Sequence, residues 1–185
     1  MRLFVMRHGQ TNNNLKRLMT GRFNEDINEA GILQAKEATE EVKKIDYDVI
    51  LSSPLLRARH TADIVNVKNL PVITDDRLQE RDMGFMTNAK IHSEVNRDDF
   101  WSLKPDIDYR DAEPLIDMYN RAKDFYEDIK KKYSGKTVLA VTHDGFVRVL
   151  HGYLYGAGKD GTLLEGTIKN CELREITEPL KKETY

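Results

Sequence analysis

An apolar run, Leu3-Phe4-Val5-Met6, ends abruptly on Arg7-His8-Gly9-Gln10-Thr11. Open α/β sheets build their sites at such carboxyl ends of buried strands. Arg7 offers a planar, permanently charged fork suited to phosphate. His8 can act as a nucleophile or proton carrier near neutral pH without a large pKa shift. Gly9 lets the backbone turn sharply and approach a ligand closely. A strand that ends Arg-His-Gly therefore points to phosphoryl chemistry. The tripeptide alone is equally compatible with a surface cation beside a hydrogen-bonded histidine, so the rest of the chain must decide.

Three further stretches place the same residue types at strand ends or loop starts. Leu51 is followed by Ser52-Ser53-Pro54-Leu55-Leu56-Arg57-Ala58, which puts Arg57 on the first turn of a helix, where the dipole favours anions. Val141 is followed by Thr142-His143-Asp144-Gly145, a second strand-end histidine opening a helix with free N–H groups. Leu78-Gln79-Glu80-Arg81-Asp82-Met83-Gly84 puts a carboxylate in a loop. Each has an ordinary explanation: a surface ion pair for Arg57, a buried hydrogen-bonded ring for His143, a solvated acid for Glu80. Those explanations leave out the convergence of two arginines, two histidines and a glutamate on one rim.

Positioning these residues takes a layered scaffold. Residues 3–6 read as a buried strand, 48–51 as a second, 71–74 as a short one and 136–141 as another strong one. Asn28 is a good N-cap for a helix reaching about residue 44, with Ile32, Ala35, Ala38 and Val42 at helical spacing. Ser53 as N-cap and Pro54 at the first helical position predict a helix to about residue 65. Leu115, Met118, Ala122, Phe125 and Ile129 share one face of a long charged helix over 113–133. Another helix is expected over about 145–155, and 167–176 alternates loosely, as an edge-like strand does. The polar tail 181–185 is expected to fray. Strands alternating with helices predict a three-layer α/β/α sandwich with a mostly parallel central sheet, one domain over 1–185.

Residues 81–112 break that rhythm. They mix Met83, Phe85, Met86, Phe100 and Trp101 with many charges. Such a stretch suits a substrate-side insertion or lid. It suits equally a solvent-facing helix around 90–98 with its aromatics docked on the core.

A chain of 185 residues is long enough for one substantial core. A net charge of −2 gives no reason to expect a nucleic-acid or membrane partner. No apolar stretch approaches the roughly 18 residues a bilayer span needs. The apolar run at the N-terminus is too short for a signal peptide. A single cysteine, Cys171, leaves no internal disulfide and no zinc site on paired thiolates, which suits a reducing cytoplasm. The expected partner is a small molecule, and the expected state a monomer or homodimer.

In order along the chain, the motifs are Arg7-His8-Gly9-Gln10-Thr11 with Asn14; Gly21; Ile27-Asn28-Glu29-Ala30-Gly31-Ile32-Leu33-Gln34-Ala35; Ser53-Pro54-Leu55 with Arg57-Ala58 and Thr61-Ala62; Leu78-Gln79-Glu80 with Gly84; and Val141-Thr142-His143-Asp144-Gly145 with Arg148. Together they resemble the histidine phosphatase superfamily, the phosphoglycerate mutase-like group. The resemblance implies a phosphomonoesterase acting on a small phosphorylated metabolite, with no metal and no cofactor. It implies that His8 attacks phosphorus to form a phosphohistidine. Arg7, Arg57 and His143 would grip the equatorial oxygens. Asn14, Thr20, Gly21 and the Asp144 backbone N–H would complete the phosphate site. Glu80 would protonate the leaving oxygen and then activate water. For the first role it must hold a proton near neutral pH, so its pKa must lie above the usual value of about 4.3.

The chain departs from the family pattern in three places. Gln10 stands where Glu is usual. Asp144 replaces a frequent Gly, and its carboxylate would either weaken phosphate binding or order the pocket. The family often continues Gly-x-x-Glu-Gly after the acid, whereas Gly84 is followed here by Phe85-Met86-Thr87-Asn88.

Other functions compete. Similar mutases carry a longer insertion with paired arginines; this chain has Arg81, Lys90, Arg97 and Lys104 but no such pair, which favours a phosphatase. A metal-dependent hydrolase would use His143 and Asp144 with His8, His60, His92 or His151, at spacings that match no known metal motif. A non-catalytic phospholigand-binding module would keep the clamp without turnover.

Overall fold

The computed structural model describes residues 1–91, 96–104, 110–158 and 160–178. Its elements in chain order are β1 (Arg2–Arg7), α1 (Asn12–Lys16), α2 (Glu29–Val42), β2 (Val49–Ser52), α3 (Leu56–Val65) and β3 (Val72–Thr74). Two 3-10 turns follow, Asp76–Leu78 and Gly84–Met86, then α4 (Arg97–Phe100), α5 (Leu115–Lys132), β4 (Thr137–Thr142), α6 (Asp144–Tyr155) and β5 (Leu173–Ile176). The sheet order is β3-β2-β4-β1-β5. The first four strands run parallel, and β5 closes the edge antiparallel to β1.

Strands β1 and β4 are apolar on both faces because both faces are covered, as parallel sheets require. Leu3, Val5, Val138 and Ala140 pack with Met118 and Phe125 of α5 and Phe146 and Leu150 of α6. Phe4, Met6, Leu139 and Val141 face the other way, onto Ala35, Ala38 and Val42 of α2 and Ala58, Ala62 and Val65 of α3. The second layer uses alanines, which lets its helices lie close to the sheet. The first uses aromatics, and Phe125, fully buried, is the residue there whose truncation to alanine is expected to cost about 3–5 kcal/mol. This is the three-layer sandwich with a mostly parallel sheet that the strand-helix rhythm predicts.

Register then lines up the site. Arg7 sits opposite Thr142, and Ser52 opposite Val141. The residues that follow each strand, His8, His143 and Ser53, are therefore neighbours on one rim. The His8 N–H donates to Thr142 O and the Ser53 N–H to Val141 O, both at 3.0 Å.

Two local expectations need correction, and one element is unexpected. Helix α3 begins at Leu56, not at Pro54, and Leu55 is its N-cap. Its first-turn N–H at Leu56 is satisfied by Asn24 Oδ1 at 2.8 Å, far away in sequence, while Ser53 Oγ accepts from the Leu55 N–H at 3.3 Å, just before the helix. Gly9 serves packing more than ligand approach: a Cβ there would lie 2.6 Å from the Gly31 carbonyl oxygen on the first turn of α2. Helix α1 has no counterpart among the expected elements, although Thr11 and Asn14 form its capping box. Within 81–112 the aromatics and methionines dock on the core, as one of the two arrangements suited to that stretch has them. Met83, Met86, Phe100 and Trp101 are buried in the α5/α6-side core.

The helix expected over 90–98 does not begin at 90: Lys90 bridges Leu18 and the Ile91 N–H donates to Arg17 O, 92–95 lie outside the described residues, and 97–98 are the start of α4; the tail 181–185 also lies outside them. Asn28 caps α2 as expected, accepting from the Gly31 N–H at 2.9 Å. Among the described residues no helix is long and apolar enough to cross a membrane.

Candidate active site

The carboxyl ends of β1, β2 and β4 open into a cavity of about 500 Å³. Arg7, His8, Asn14, Thr20, Gly21, Arg57, Glu80 and Asp144 all line it. His143 stands just behind, buried, its ring centroid 5.1 Å from that of His8. The sequence-predicted site residues are thus brought together.

His8 is oriented by its own loop. Its Nδ1 lies 2.7 Å from Gly9 O, an acceptor only, so Nδ1 carries the proton and Nε2 the lone pair. Arg57 Nε points at that Nε2 from 3.2 Å. Burial, helped by the charges of Arg57 and Arg7, holds the imidazole pKa well below its usual value. The ring is neutral at pH 7, with its basic nitrogen toward the cavity.

Arg57 is almost wholly buried and holds its position through Nη1 to Phe23 O at 2.9 Å and Nη2 to Gly21 O at 2.7 Å. Burial pushes its pKa down to about 10, so it stays protonated at neutral pH. The loop that supplies these carbonyls depends on Gly21, whose φ is +52° and where a Cβ would lie 2.7 Å from Met83 Cγ. Thr20 ties the same loop through its hydroxyl to Glu25 at 3.3 Å.

Arg7 donates from Nη1 to Ile168 O at 3.0 Å, while its Nε is buried without a partner among the described residues. Asn14 Oδ1 accepts from the Thr11 N–H at 3.3 Å and from Asn170 Nδ2 at 3.1 Å, which fixes the amide so that its NH2 group is the one left over. His143 Nε2 is 2.8 Å from Ser53 Oγ, and its Nδ1 is likewise buried without a partner among the described residues. Burial, then Arg57 and His8, hold the His143 pKa well below the usual range.

Glu80 accepts at Oε1 from the Arg81 N–H (2.8 Å) and at Oε2 from the Gly145 N–H (3.2 Å). Burial lifts its pKa above the ordinary carboxyl value; the Arg81 N–H opposes this and the nearby charge of Asp144 reinforces it. The seat is close-fitting, since a Cβ on Gly145 would come within 2.2 Å of Oε1. Beneath it, Arg121 of α5 donates to Arg77 O and Gln79 O at 2.7 Å and to Glu80 O at 3.1 Å, while pairing bidentately with Glu113. Arg22 reaches the same carbonyl and the same Glu113 from the other side.

Asp144 orders the pocket. Its Oδ1 accepts from the Ile168 N–H at 2.8 Å, and its Oδ2 lies 3.6 Å from Arg148 Nη2. Because Ile168 O holds Arg7, the carboxylate is a strut between α6 and the strand-end arginine.

Sequence reasoning misses Ser53 as the partner of His143, Asn170 as the partner of Asn14, and the Arg121–Glu113 clasp under Glu80. None has a local signal: Ser53 looks like a cap, and Arg121 looks like one more cation on a charged helix.

The histidines outside the rim go elsewhere. His60 meets Asp26 at 3.0 Å, and His151 packs on Tyr155. His92 lies outside the described residues. Among the described residues no three His, Cys, Asp or Glu side chains are gathered as a metal shell.

An α/β/α sandwich whose parallel strand ends collect two arginines, two neutral histidines and a carboxyl of raised pKa defines a class, the phosphoryl-transfer enzymes. The sequence profile of the histidine phosphatase superfamily (branch 1) matches residues 3–182, and the chain belongs to that family. It is 33% identical over 162 residues to phosphoserine phosphatase 1 of Hydrogenobacter thermophilus, covering 84% of this chain and 77% of that protein. It is 32% identical over 180 residues to the 2,3-bisphosphoglycerate-dependent phosphoglycerate mutase of Bradyrhizobium diazoefficiens, covering 87% and 84%. Among solved structures, a mycobacterial glucosyl-3-phosphoglycerate phosphatase complexed with VO3 superposes with a TM-score of 0.82 at 25% identity, covering 95% of this chain and 92% of that one.

Proposed function

We propose that this chain hydrolyses a small phosphate monoester through a phosphohistidine on His8, with no metal in the reaction. The observation that carries the reading is the state of His8: a neutral imidazole, its Nδ1–H pinned to Gly9 O, its Nε2 directed at Arg57. In the first step the Nε2 lone pair attacks phosphorus and the ester P–O bond breaks. The Glu80 proton goes to the leaving oxygen. In the second step Glu80, now a carboxylate, takes a proton from water, the water oxygen attacks phosphorus, and the P–N bond breaks. Phosphate leaves, and both residues return to their starting state.

Arg57 gives up a long contact to Nε2 and donates to a phosphate oxygen instead. Arg7 Nε and His143 Nδ1, both buried without a protein partner among the described residues, are further donors for that anion. If Ser53 Oγ–H donates to His143 Nε2, then Nδ1 carries the proton, the tautomer an oxyanion requires. Removing one such donor commonly costs about 10²–10³ in rate.

Hydrolysis is favoured over mutase chemistry by charge. A mutase must retain a bisphosphorylated intermediate, which takes cations beyond the first clamp. Beyond Arg7 and Arg57, the described lining of the cavity holds one more cation, Arg148, which is engaged by Asp144 and by the Leu163 and Leu164 carbonyls.

The proposal is tested by intact-protein mass spectrometry after brief incubation with p-nitrophenyl phosphate and EDTA, wild type beside His8→Ala. An acid-labile phosphoryl adduct on wild type, absent from the variant, is expected. Turnover that EDTA abolishes, or an adduct that survives in His8→Ala, would sink the reading.

A further inference from the structure

We infer that the alcohol part of the substrate is apolar, with no carboxylate and no second phosphate, and that Trp101, Met83 and Ile91 select it. This rests on the phosphomonoesterase reading above and specifies its substrate class.

The cavity has two unlike halves. Its floor is the polar rim at the strand ends. Its wall is Leu18, Met19, Met83, Ile91, Phe100 and Trp101. At about 500 Å³ the cavity belongs to the size range of whole organic ligands, so most of its space lies beyond a phosphate, against that wall.

Among the described residues that line the cavity, the charges are distributed against a second anionic group. Arg7 and Arg57 belong to the floor. Arg148, which also lines the cavity, is engaged by protein groups. It donates to Leu164 O at 2.7 Å, lies 3.6 Å from Asp144, and sets its guanidinium 4.5 Å from the Trp101 ring centroid. It works as a strut behind the tryptophan. Arg81, which the sequence offers as a loop cation, is fully buried beneath Phe100, 4.0 Å from that ring centroid, and donates to Glu113 O. A carboxylate on the substrate would share the cavity with Asp144 and would be desolvated against sulfur and aromatic carbon, at a cost.

An apolar group meets the opposite conditions. Phe100 and Trp101 are packed edge to face, with centroids 5.3 Å apart, and both are buried. Met19 and Met83 line the same space with unbranched, polarizable side chains that fit irregular apolar shapes. Ile91 carries the wall to the mouth, 47% exposed. Covering such a surface with substrate removes apolar area from water on both partners.

The experiment is a comparison of kcat/KM for 2-phenylethyl phosphate, ethyl phosphate and O-phosphoserine. All three are primary alkyl esters that need a proton on the leaving oxygen, so their ratios report mainly on the wall. We expect 2-phenylethyl phosphate to exceed ethyl phosphate by about thirtyfold, the effect of burying one ring, with phosphoserine lowest. Ile91→Lys places a cation at a half-exposed position where folding is not at stake. It is expected to lower the ratio of 2-phenylethyl phosphate to phosphoserine by about threefold to fivefold. Trp101→Leu is expected to lower the same ratio further.

Phosphoserine turned over as well as 2-phenylethyl phosphate by the wild type would overturn the inference. So would ratios that neither substitution moves. If phosphoserine is preferred while the His8 adduct still forms, only the substrate inference fails. If no ester is hydrolysed and no adduct forms, the phosphomonoesterase reading fails and takes the inference with it.

Discussion

The floor and the wall of the cavity meet within one pocket but are built on opposite plans. Of the reacting floor residues, His8 follows a strand end, Arg57 opens a helix and Glu80 sits in a loop, and all three are held by hydrogen bonds to backbone: His8 to Gly9, Arg57 to Gly21 and Phe23, Glu80 to the N–H groups of Arg81 and Gly145. The wall comes from loops and short turns, and its members are held by packing, with buried arginines laid under Phe100 and Trp101. Backbone hydrogen bonds fix direction to within tenths of an ångström, which in-line attack on phosphorus needs. Packing fixes only shape and polarity, and shape is what has to differ when related enzymes take different alcohols. On the reading proposed above, reaction and selectivity are carried by separable structures.

If that separation is real, a change to the floor should impair every substrate, and a change to the wall should alter ratios. The largest effect after loss of His8 is expected from Glu80→Gln. Alkyl phosphate hydrolysis should fall by about 10²–10⁴, and p-nitrophenyl phosphate, whose leaving group needs little protonation, should fall less. Equal loss on both would remove Glu80 from the acid role. The pH profile gives an independent check. The Glu80 pKa is raised, so its proton is present at low pH and lost as pH rises, which produces the alkaline fall in kcat/KM. The His8 pKa is well below 6.5, so the acid limb lies below that value. Glu80→Gln should erase the alkaline limb and leave the acid limb in place.

Gly145→Ala tests how tightly the floor is set. The new methyl would overlap Glu80 Oε1, so the carboxyl must shift. A displacement of that size is expected to cost about 10² in kcat for alkyl esters, with folding intact by circular dichroism. A variant with wild-type kcat would show that the seat has slack.

The smallest change is expected from Asp144→Gly, which restores the residue frequent in the family. It removes the strut that runs through Ile168 to Arg7. Loss of about one buried hydrogen bond's worth, roughly 1 kcal/mol or fivefold, is expected in KM, with kcat nearly unchanged. The alkaline limb should also move to lower pH, because the Asp144 charge no longer helps keep the proton on Glu80. A titration of kcat/KM against pH on both proteins reads both effects.

What can be read from the sequence is whatever depends on near neighbours. Strands β1, β2 and β4, the Asn28 cap, the amphipathic α5 and the strand-end placement of Arg7, His8, Arg57 and His143 all follow from spacing within a few residues. Periodicity and capping are local, so they survive without the fold. The acid Glu80 is legible only as part of an ordered set, because one carboxylate in a loop carries no signal alone.

Only the tertiary structure decided the rest. Ser53 is a helix cap by sequence and the partner of His143 in space, while Asn24 arrives from another loop to accept from the Leu56 N–H of α3. Arg81 and Arg121 look like solvated charges and are instead buried or half-buried supports, because carbonyls and rings from distant segments close around them. Asp144, the departure whose sign is ambiguous from sequence, proves to be an ordering residue because the chain returns at Ile168 to meet it. A side chain's type is written in the sequence. Whether it is desolvated, paired or left facing a cavity depends on which remote segments surround it, and that is settled only when the sheet forms and its register brings the strand ends together.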